Sequence, residues 1–206
     1  MAAIDFKLYL ISDRSLVNKP CCDVLEAALM AGAGAVQLRE KDLNIKEIMV
    51  LAEKLRELTK TYKAKLFIND RVDVALAVEA DGVHLTHNSI PVAAARKIAG
   101  DRLIIAQSTH SLEEAILAQS KGADFITLGP IYETKSKLQF GPPIAVQTIT
   151  KVKKKLKIPV FAIGGIKSDN LTEVLEAGAD GIAVISGILS SNDVFGETKK
   201  YLELLK

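Results

Sequence analysis

Tryptophan is absent from this 206-residue chain, and cysteine occurs only twice. The two cysteines are the neighbours Cys21 and Cys22, and a disulfide between adjacent residues would be strained and would close no useful loop. The cysteine spacing typical of zinc sites is missing as well. These absences exclude a disulfide-stabilised scaffold and a zinc module.

The chain also lacks an excess of charge of one sign and a long apolar run. Lys and Arg total 27 and Asp and Glu total 25, so the formal net charge of +2 requires neither nucleic acid nor an acidic membrane as partner. No apolar run approaches the roughly 18 residues of a membrane span, and the first residues lack a signal pattern. We therefore expect a cytoplasmic protein.

Short apolar runs alternate with stretches of helical periodicity eight times. Each run is four to six residues long and nearly all apolar, as in strands that are buried on both faces of a parallel sheet. The predicted strands are Leu8–Ser12, Ala35–Arg39, Lys65–Asn69, Gly82–Leu85, Leu103–Ser108, Phe125–Gly129, Val160–Gly164 and Gly181–Ser186. Between them, Ile45–Tyr62 predicts an amphipathic helix.

Eight such units predict an α/β fold, a (β/α)8 TIM barrel that occupies residues 1–206 as a single domain. An internal repeat supports this, because Ala33–Val36, Ala80–Val83, Gly122–Phe125 and Gly178–Gly181 all stand where a helix gives way to a strand. An open doubly wound sheet is the alternative, but it would normally have a glycine-rich first turn, which is missing here.

In a barrel of this kind, functional groups gather where the strands end. The second strand leads into Gln37-Leu38-Arg39-Glu40-Lys41, and alternation predicts that Gln37 and Arg39 point inward, with Lys41 at the rim. Two cations and an amide suit an anion with several oxygens, such as pyrophosphate. For these residues taken alone, salt bridges at the rim are an equally good interpretation.

The third and fifth strands also end in candidate functional groups. Asn69 and Asp70 follow the third strand, where they can cap a helix, but a carboxylate facing a pyrophosphate is also where Mg²⁺ is usually held. His110 follows the fifth strand at a helix start. Most histidines in such places are structural, yet at a barrel mouth His110 becomes an acid/base candidate.

The last three strands end in one long loop and two small-residue turns. The loop from Gly129 to Pro143 is polar and basic, and can close over a bound anion. Strands seven and eight end in Ile163-Gly164-Gly165-Ile166 and Val184-Ile185-Ser186-Gly187, at the positions of the common phosphate site of this fold. Tight turns that need glycine are the alternative for either loop alone; both together, opposite cations, favour phosphate.

As a set, these strand ends resemble the family of thiamin phosphate synthase and TenI over nearly the whole chain. The resemblance is carried by Leu8–Arg14, Gln37–Asp42, Phe67–Ala75, Ala80–Leu85, Ser108–Ser111, Gly129–Tyr132 and Ala162–Ile166. It implies a transferase that joins the pyrimidine of hydroxymethylpyrimidine pyrophosphate to a thiazole phosphate and releases pyrophosphate. It also implies Mg²⁺ as cofactor and these two small molecules as substrates, and it leaves open whether the chain forms a homo-oligomer.

The resemblance also implies roles for individual residues. The catalytic candidates are Arg39, Lys41, Ser108, His110 and Lys137. The substrate-binding candidates are Gln37, Asn69, Thr134, Ser136, Gly164, Ile185 and Ser186. Asp70 is the metal ligand. Among these, the resemblance places Ser108 near the pyrimidine, Thr134 to Lys137 in a loop clamp, and Gly164, Ile185 and Ser186 around the thiazole phosphate.

Two departures from the family pattern leave alternatives open. After His84-Leu85 the synthase pattern is Gly-Gln-Glu-Asp, whose Asp completes the Mg²⁺ site, whereas Ser89 stands at that place here, and Ser136 replaces a Thr of the loop clamp. Ser89, together with the loop segments Tyr132–Thr134 and Ser186–Ile188, leans toward TenI, a thiazole tautomerase in which the histidine matching His110 is the acid/base. A tautomerase and a non-catalytic barrel that binds thiamin precursors are therefore the two alternatives to a synthase.

Overall fold

Eight parallel strands close into one barrel, each paired with the next along the chain and the last with the first. The structure is a computed structural model that describes residues 4–134 and 142–206. The strands are β1 (Leu8–Ile11), β2 (Ala35–Leu38), β3 (Lys65–Asn69), β4 (Gly82–Leu85), β5 (Ile104–Thr109), β6 (Phe125–Leu128), β7 (Val160–Ile163) and β8 (Gly181–Val184). This closed barrel confirms the predicted fold and excludes the open doubly wound sheet.

Helices cover the outside of the barrel. They are α1 (Cys21–Met30), α2 (Ile45–Thr61), α3 (Val72–Ala77), α4 (Val92–Ala99), α5 (Leu112–Ser120), α6 (Gln147–Lys153), α7 (Leu171–Glu176), α8 (Ser186–Leu189) and α9 (Val194–Leu204), with a short 3-10 helix at Arg14–Leu16. None of the helices in the described ranges is long and apolar enough to cross a bilayer. The amphipathic stretch predicted as a helix is α2, one residue shorter than expected.

The predicted strands agree with the structure to within two residues at each end. Most differences fall at the carboxyl ends, where Ser12, Arg39, Gly129, Gly164 and Ser186 have left the sheet. These residues belong to the loops at the carboxyl-terminal rim of the barrel, called the rim below. Their departure from the ladder follows from their position, because a strand that ends at a functional loop stops pairing there.

Aromatic rings fill the barrel interior. Phe6, Tyr9, Phe67, Phe125 and Phe161 form one cluster of tilted and edge-to-face pairs, with ring centroids 5.1 to 6.4 Å apart. Glycines on neighbouring strands make room for them. A Cβ at Gly82 would lie 2.3 Å from the Phe67 ring, and one at Gly181 would lie 2.5 Å from the Phe161 ring. The interior is thus a packed core, which leaves the rim as the place for ligands.

Three aspartates join neighbouring strands at the opposite, amino-terminal end. Each stands just before an even-numbered strand and accepts two hydrogen bonds. One comes from a backbone N–H of the odd-numbered strand that precedes it in the chain. The other comes from a cationic side chain of the helix that leads into this odd-numbered strand. The sets are Asp81 with Leu66 N at 2.9 Å and Arg56 at 2.6 Å, Asp124 with Ile105 N at 2.7 Å and Arg96 at 2.5 Å, and Asp180 with Val160 N at 2.7 Å and Lys153 at 2.6 Å. They occupy three of the four repeat positions recognised in the sequence.

These aspartates provide a test of what stabilises the barrel. The Asp124 side chain is 10% exposed and that of Asp180 is 38% exposed, although both make the same two bonds. Asp124→Ala leaves a buried N–H and an arginine without their partner, so we expect it to lower the free energy of unfolding by about 2–4 kcal/mol. The matched Asp180→Ala should cost only about 1 kcal/mol, because water replaces the lost partner there.

Chemical denaturation of the two variants and the parent chain measures both losses. Equal losses of unfolding free energy in the two variants would show that burial does not determine how much these aspartates stabilise the barrel. Because both aspartates lie at the end of the barrel away from the rim, neither substitution should change ligand affinity.

Candidate functional site

The cations after β2 are not held by salt bridges. Arg39 and Lys41 form no ion pair with any residue in 4–134 or 142–206. The carboxylates that flank them pair instead with Arg14 of the first loop, which lies 3.9 Å from Glu40 and contacts Asp42 directly. The alternative of a salt-bridged rim is therefore wrong for Arg39 and Lys41, whose charges are left for another partner.

The backbone of Arg39 is fixed by a buried hydrogen-bond chain. Its N–H donates to Ser12 Oγ at 2.8 Å, and Ser12 Oγ donates in turn to Glu40 Oε1 at 2.6 Å. Glu40 also accepts the N–H of Arg14 at 3.1 Å. The buried Glu40 carboxylate thus ties the loop after β1 to the loop after β2. Sequence reasoning assigned no role to Ser12 or Glu40, although an acidic residue between two cations was visible.

Asp70 does not cap a helix. The cap residue of α3 is Arg71, without a side-chain cap bond. Instead, Asp70 Oδ2 accepts from Asn69 Nδ2 at 2.6 Å, and Oδ1 accepts from Thr86 Oγ1 at 3.0 Å and from the hydroxyl of Ser89. Asp70 has a positive φ of 60°, a conformation that non-glycine residues rarely adopt outside functional or tightly constrained positions. The capping interpretation is therefore wrong for Asp70.

Position 89 lies directly against Asp70, which is where the family pattern places a second carboxylate. With a serine there, Asp70 has no acidic companion. Within the described ranges, no three His, Cys, Asp or Glu side chains come close enough together to hold a metal ion.

A fully buried histidine links the interior to the rim. His84 Nε2 lies 2.9 Å from Ser108 Oγ, and its Nδ1 lies 3.3 Å from the Tyr9 hydroxyl. Burial lowers the pKa of His84 from its usual 6.5 to about 4, with Asp70 opposing that shift and Arg39 adding to it. His84 is therefore neutral at physiological pH. Through its contact with Ser108, His84 connects the aromatic interior with the carboxyl end of β5.

His110 is held at the start of α5. Its ring Nδ1 lies 2.5 Å from the carbonyl oxygen of Gly129, which can only accept, so Nδ1 carries the proton. Its backbone N–H donates to Glu114 at 2.7 Å, while Ser111 Oγ accepts the N–H of Glu114 at 3.2 Å. His110 thus keeps a fixed orientation, with its Nε2 on the far side of the ring from Gly129.

The turns after β7 and β8 are close-packed. Gly164 and Gly165 have φ values of 98° and 67°, and a Cβ on Gly164 would lie 2.6 Å from Pro130 in the loop after β6. Ile185 caps the four-residue helix α8, and the exposed Ser186 is its first residue. The structure therefore places Gly164, Ile185 and Ser186 on adjacent loops of the same rim. Thr134 lies in the loop after β6, whereas Ser136 and Lys137 fall outside the described residues.

Two buried polar atoms near the rim make no hydrogen bond of ordinary distance and angle with the residues described, although the Gln37 side chain faces the Tyr9 hydroxyl. They are Gln37 Nε2, a donor, and Asn69 Oδ1, an acceptor, on the neighbouring strands β2 and β3. A buried polar group without a partner costs about 1–3 kcal/mol, so native structures keep few of them. The third such atom, Arg56 Nε, belongs to the Asp81 ion pair at the other end. The neighbouring strands β2 and β3 thus carry one unmet donor and one unmet acceptor near their carboxyl ends.

A cavity of about 480 Å³ lies away from the rim, beside Arg96, Gln119 and Asp124. Three of its polar side chains are already engaged, because Arg96 pairs with Asp124 at 2.5 Å and Gln119 Oε1 accepts the N–H of Lys157 at 2.6 Å. None of the buried side-chain atoms without a partner in the described residues lines this groove. The rim is therefore the better candidate site.

The rim of this closed (β/α)8 barrel has unpaired cations on one side and small-residue turns after β7 and β8. This combination is typical of barrel enzymes that act on phosphorylated small molecules. Comparison with known proteins identifies the family within that class.

The family model described as "Thiamine monophosphate synthase" matches residues 8–188. A putative thiamine-phosphate synthase of Geobacter sulfurreducens is 46% identical over 206 residues, which is 100% of this chain and 97% of that protein. The thiamine-phosphate synthase of Pyrococcus furiosus is 44% identical over 200 residues, 97% of this chain and 95% of that protein. The solved structure of thiamine phosphate pyrophosphorylase from Pyrococcus furiosus has a TM-score of 0.90 at 42% identity and covers 97% of this chain and 95% of that chain.

The chain belongs to the thiamine monophosphate synthase family, as its strand ends predicted. It is accordingly a transferase of thiamin biosynthesis.

The lowered pKa of His84 predicts how the stability of the chain depends on pH. Because its pKa is lowered to about 4 in the folded chain and is near 6.5 when unfolded, acidification protonates the unfolded state first. The contribution of neutral His84 to the free energy of unfolding is therefore complete above pH 6.5. It is lost as the pH falls toward 4, so that the free energy of unfolding decreases by about 3 kcal/mol in total. We expect His84→Gln to reduce the pH dependence of the unfolding free energy in this window.

The exposed His87 supplies the matched control, since His87→Gln removes a histidine from the next loop without touching the network. Urea denaturation at pH 7, 6, 5 and 4.5 gives the three slopes. If the His84 variant keeps the slope of the parent chain, the neutral buried histidine does not contribute as described.

Proposed function

We propose that the chain condenses hydroxymethylpyrimidine pyrophosphate with a thiazole phosphate to give thiamin phosphate and pyrophosphate. One observation carries the proposal. Among the described residues, Arg39 and Lys41 have no ion pair, and Gln37 Nε2, two residues before Arg39, has no hydrogen-bond acceptor. Unpaired cations and an unmet buried donor are stabilised together by a polyanion with several oxygens, whereas the unmet oxygen of Asn69 requires a cation or a donor. The synthase relatives support the same substrates for this chain.

The chemistry needs no protein nucleophile. Departure of pyrophosphate from the pyrimidine methylene leaves a stabilised carbocation-like centre, which the thiazole nitrogen attacks. The protein then has to stabilise the leaving anion and hold the two rings in line. Arg39 and Lys41 supply positive charge to that anion, Gln37 and Asn69 orient the first substrate, and Ser108, held by His84, lies at the pyrimidine. Gly164, Ile185 and Ser186 receive the thiazole phosphate, and the resemblance assigns the loop clamp to Thr134 and to Ser136 and Lys137, which lie outside the described residues.

Magnesium fits this site with few protein ligands. Asp70 and the unmet oxygen of its neighbour Asn69 would hold the ion, and Mg²⁺ usually keeps several waters and binds substrate phosphates. The ion would supply charge neutralisation to the leaving pyrophosphate. With Ser89 in place of a second carboxylate, the free chain should bind Mg²⁺ weakly and acquire it mainly together with the pyrophosphate substrate. Magnesium, pyrophosphate release and a cytoplasmic location belong to this proposal.

A thiazole tautomerase is the second candidate, favoured by one contact. The Gly129 carbonyl fixes the proton of His110 on Nδ1, which leaves Nε2 as a base that can accept a proton. A tautomerase requires His110→Ala to abolish double-bond isomerisation of a thiazole carboxylate phosphate. A fully active His110→Ala variant excludes it. Tight binding of thiamin precursors without turnover of either substrate set would indicate the non-catalytic barrel instead.

The primary test is turnover by the purified chain with Mg²⁺, the pyrimidine pyrophosphate and the thiazole phosphate. We expect thiamin phosphate to form, and Arg39→Met to reduce the rate by about a hundredfold, because it removes a charge that stabilises the leaving group. Arg71→Met is the matched control. Arg71 also follows a strand at the rim, but it is already paired with Asp73, so its loss should change the rate little.

No thiamin phosphate from the parent chain would refute the proposal. Equal losses of turnover rate in the Arg39 and Arg71 variants would show that the unpaired charge of Arg39 does not stabilise the leaving group.

A second prediction concerns the metal. Ser89→Asp places a carboxylate against Asp70, and the repulsion between the two is relieved when a cation binds between them. We expect the variant to bind Mg²⁺ more tightly and to reach half-maximal turnover at lower Mg²⁺ concentration. Ser89→Asn, similar in size but neutral, is the control and should not shift the titration. Identical half-saturation points for the parent and Ser89→Asp would place the metal away from Asp70.

A further inference from the structure

The turns after β7 and β8 are supported from behind by one side chain of the last helix. Tyr201 on α9 is 1% exposed, and its hydroxyl donates to the carbonyl oxygen of Ile166 at 3.1 Å. The same hydroxyl lies against Gly187 in the next turn, where an added Cβ would come within 2.5 Å of it. One buried hydroxyl therefore touches both turns at once.

The other carbonyls of the β7 turn are also engaged. Tyr132 N donates to Gly164 O at 3.0 Å, and Asn170 Nδ2 donates to Gly165 O at 3.0 Å. With the bond from Tyr201 to Ile166 O, three successive carbonyl oxygens have protein donors. These three bonds fix the backbone of the turn and therefore the direction in which its N–H groups point.

We propose that Tyr201 is a positioning residue for the phosphate of the second substrate, holding the β7 and β8 turns in register so that they bind it as one unit. The inference rests on the proposed function, since it takes the thiazole phosphate as the ligand of these turns. Tyr201 itself is buried behind them and does not touch the ligand. Its effect is thus specific to the phosphate half of the rim and leaves the pyrophosphate half, around Arg39 and Asp70, unchanged.

The test is Tyr201→Phe, which keeps the ring and removes only the hydroxyl. Losing one hydrogen bond behind the turns should raise the KM for thiazole phosphate about five- to tenfold, with kcat and the KM for the pyrimidine pyrophosphate nearly unchanged. The thiazole alcohol, which lacks the phosphate, should bind the variant and the parent chain equally. Tyr62→Phe is the control, because it removes a tyrosine hydroxyl that bonds Glu26 at 3.0 Å on the outer helices.

A double-mutant cycle provides an independent readout. In Gly187→Ala the new methyl group meets the Tyr201 hydroxyl, so thiazole phosphate should bind more weakly. Removing that hydroxyl in Gly187→Ala/Tyr201→Phe opens space, so the double variant should lose less affinity than the sum of the two single variants. Additive losses would contradict contact between Tyr201 and the β8 turn.

Calorimetric titration with thiazole phosphate and with its alcohol separates this inference from the proposed function, because binding needs no turnover. If the parent chain binds the phosphate but makes no thiamin phosphate, the proposed function fails and the role of Tyr201 is still measured. The inference is overturned if Tyr201→Phe binds thiazole phosphate as tightly as the parent does. It is equally overturned if phosphate and alcohol lose the same affinity, since that is the result of general loosening of the fold.

Discussion

The closed sheet with a filled interior is the constraint on which the rest of the molecule depends. Eight parallel strands in sequence order direct all their carboxyl ends to one rim, and the aromatic cluster around Tyr9, Phe67 and Phe161 occupies the space between them. A ligand therefore has no room inside and meets residues from several strands only at the rim. Residues as distant along the chain as Arg39, Ser108 and Gly164 share one surface for that reason.

The two ends of the barrel differ in how their charged side chains are paired. At the amino-terminal end, Asp81, Asp124 and Asp180 each form an ion pair with a cationic side chain. The same aspartates join neighbouring strands by hydrogen bonds from backbone N–H groups. At the rim, Arg14 pairs with the acidic neighbours Glu40 and Asp42, and Arg39 and Lys41 form no ion pair within the part of the chain that the structure describes. Stability is thus concentrated at one end, and unmet charge and hydrogen bonding at the other, as expected for a site that is completed by its substrate.

Much of this arrangement could be predicted from the sequence because it follows from periodicity. Short apolar runs gave the eight strands to within two residues, and their last residues gave the candidates at the rim. The supporting contacts could not be predicted in the same way. The bonds from Ser12 to Glu40 and from Tyr201 to Ile166 join residues 28 and 35 positions apart, and no local pattern encodes such a contact. The roles of Ser136 and Lys137 stay predictions, since both lie outside the described residues.

The central claim is that Arg39, Lys41 and the unmet donor Gln37 Nε2 form an anion site that the substrate completes. A crystal structure of the chain with Mg²⁺ and pyrophosphate tests it most directly. The account predicts pyrophosphate at the rim with oxygens against Arg39, a hydrogen bond from Gln37 Nε2, and Mg²⁺ between the anion and Asp70. Pyrophosphate bound at the amino-terminal end, or a rim that stays empty at saturating pyrophosphate, would contradict it.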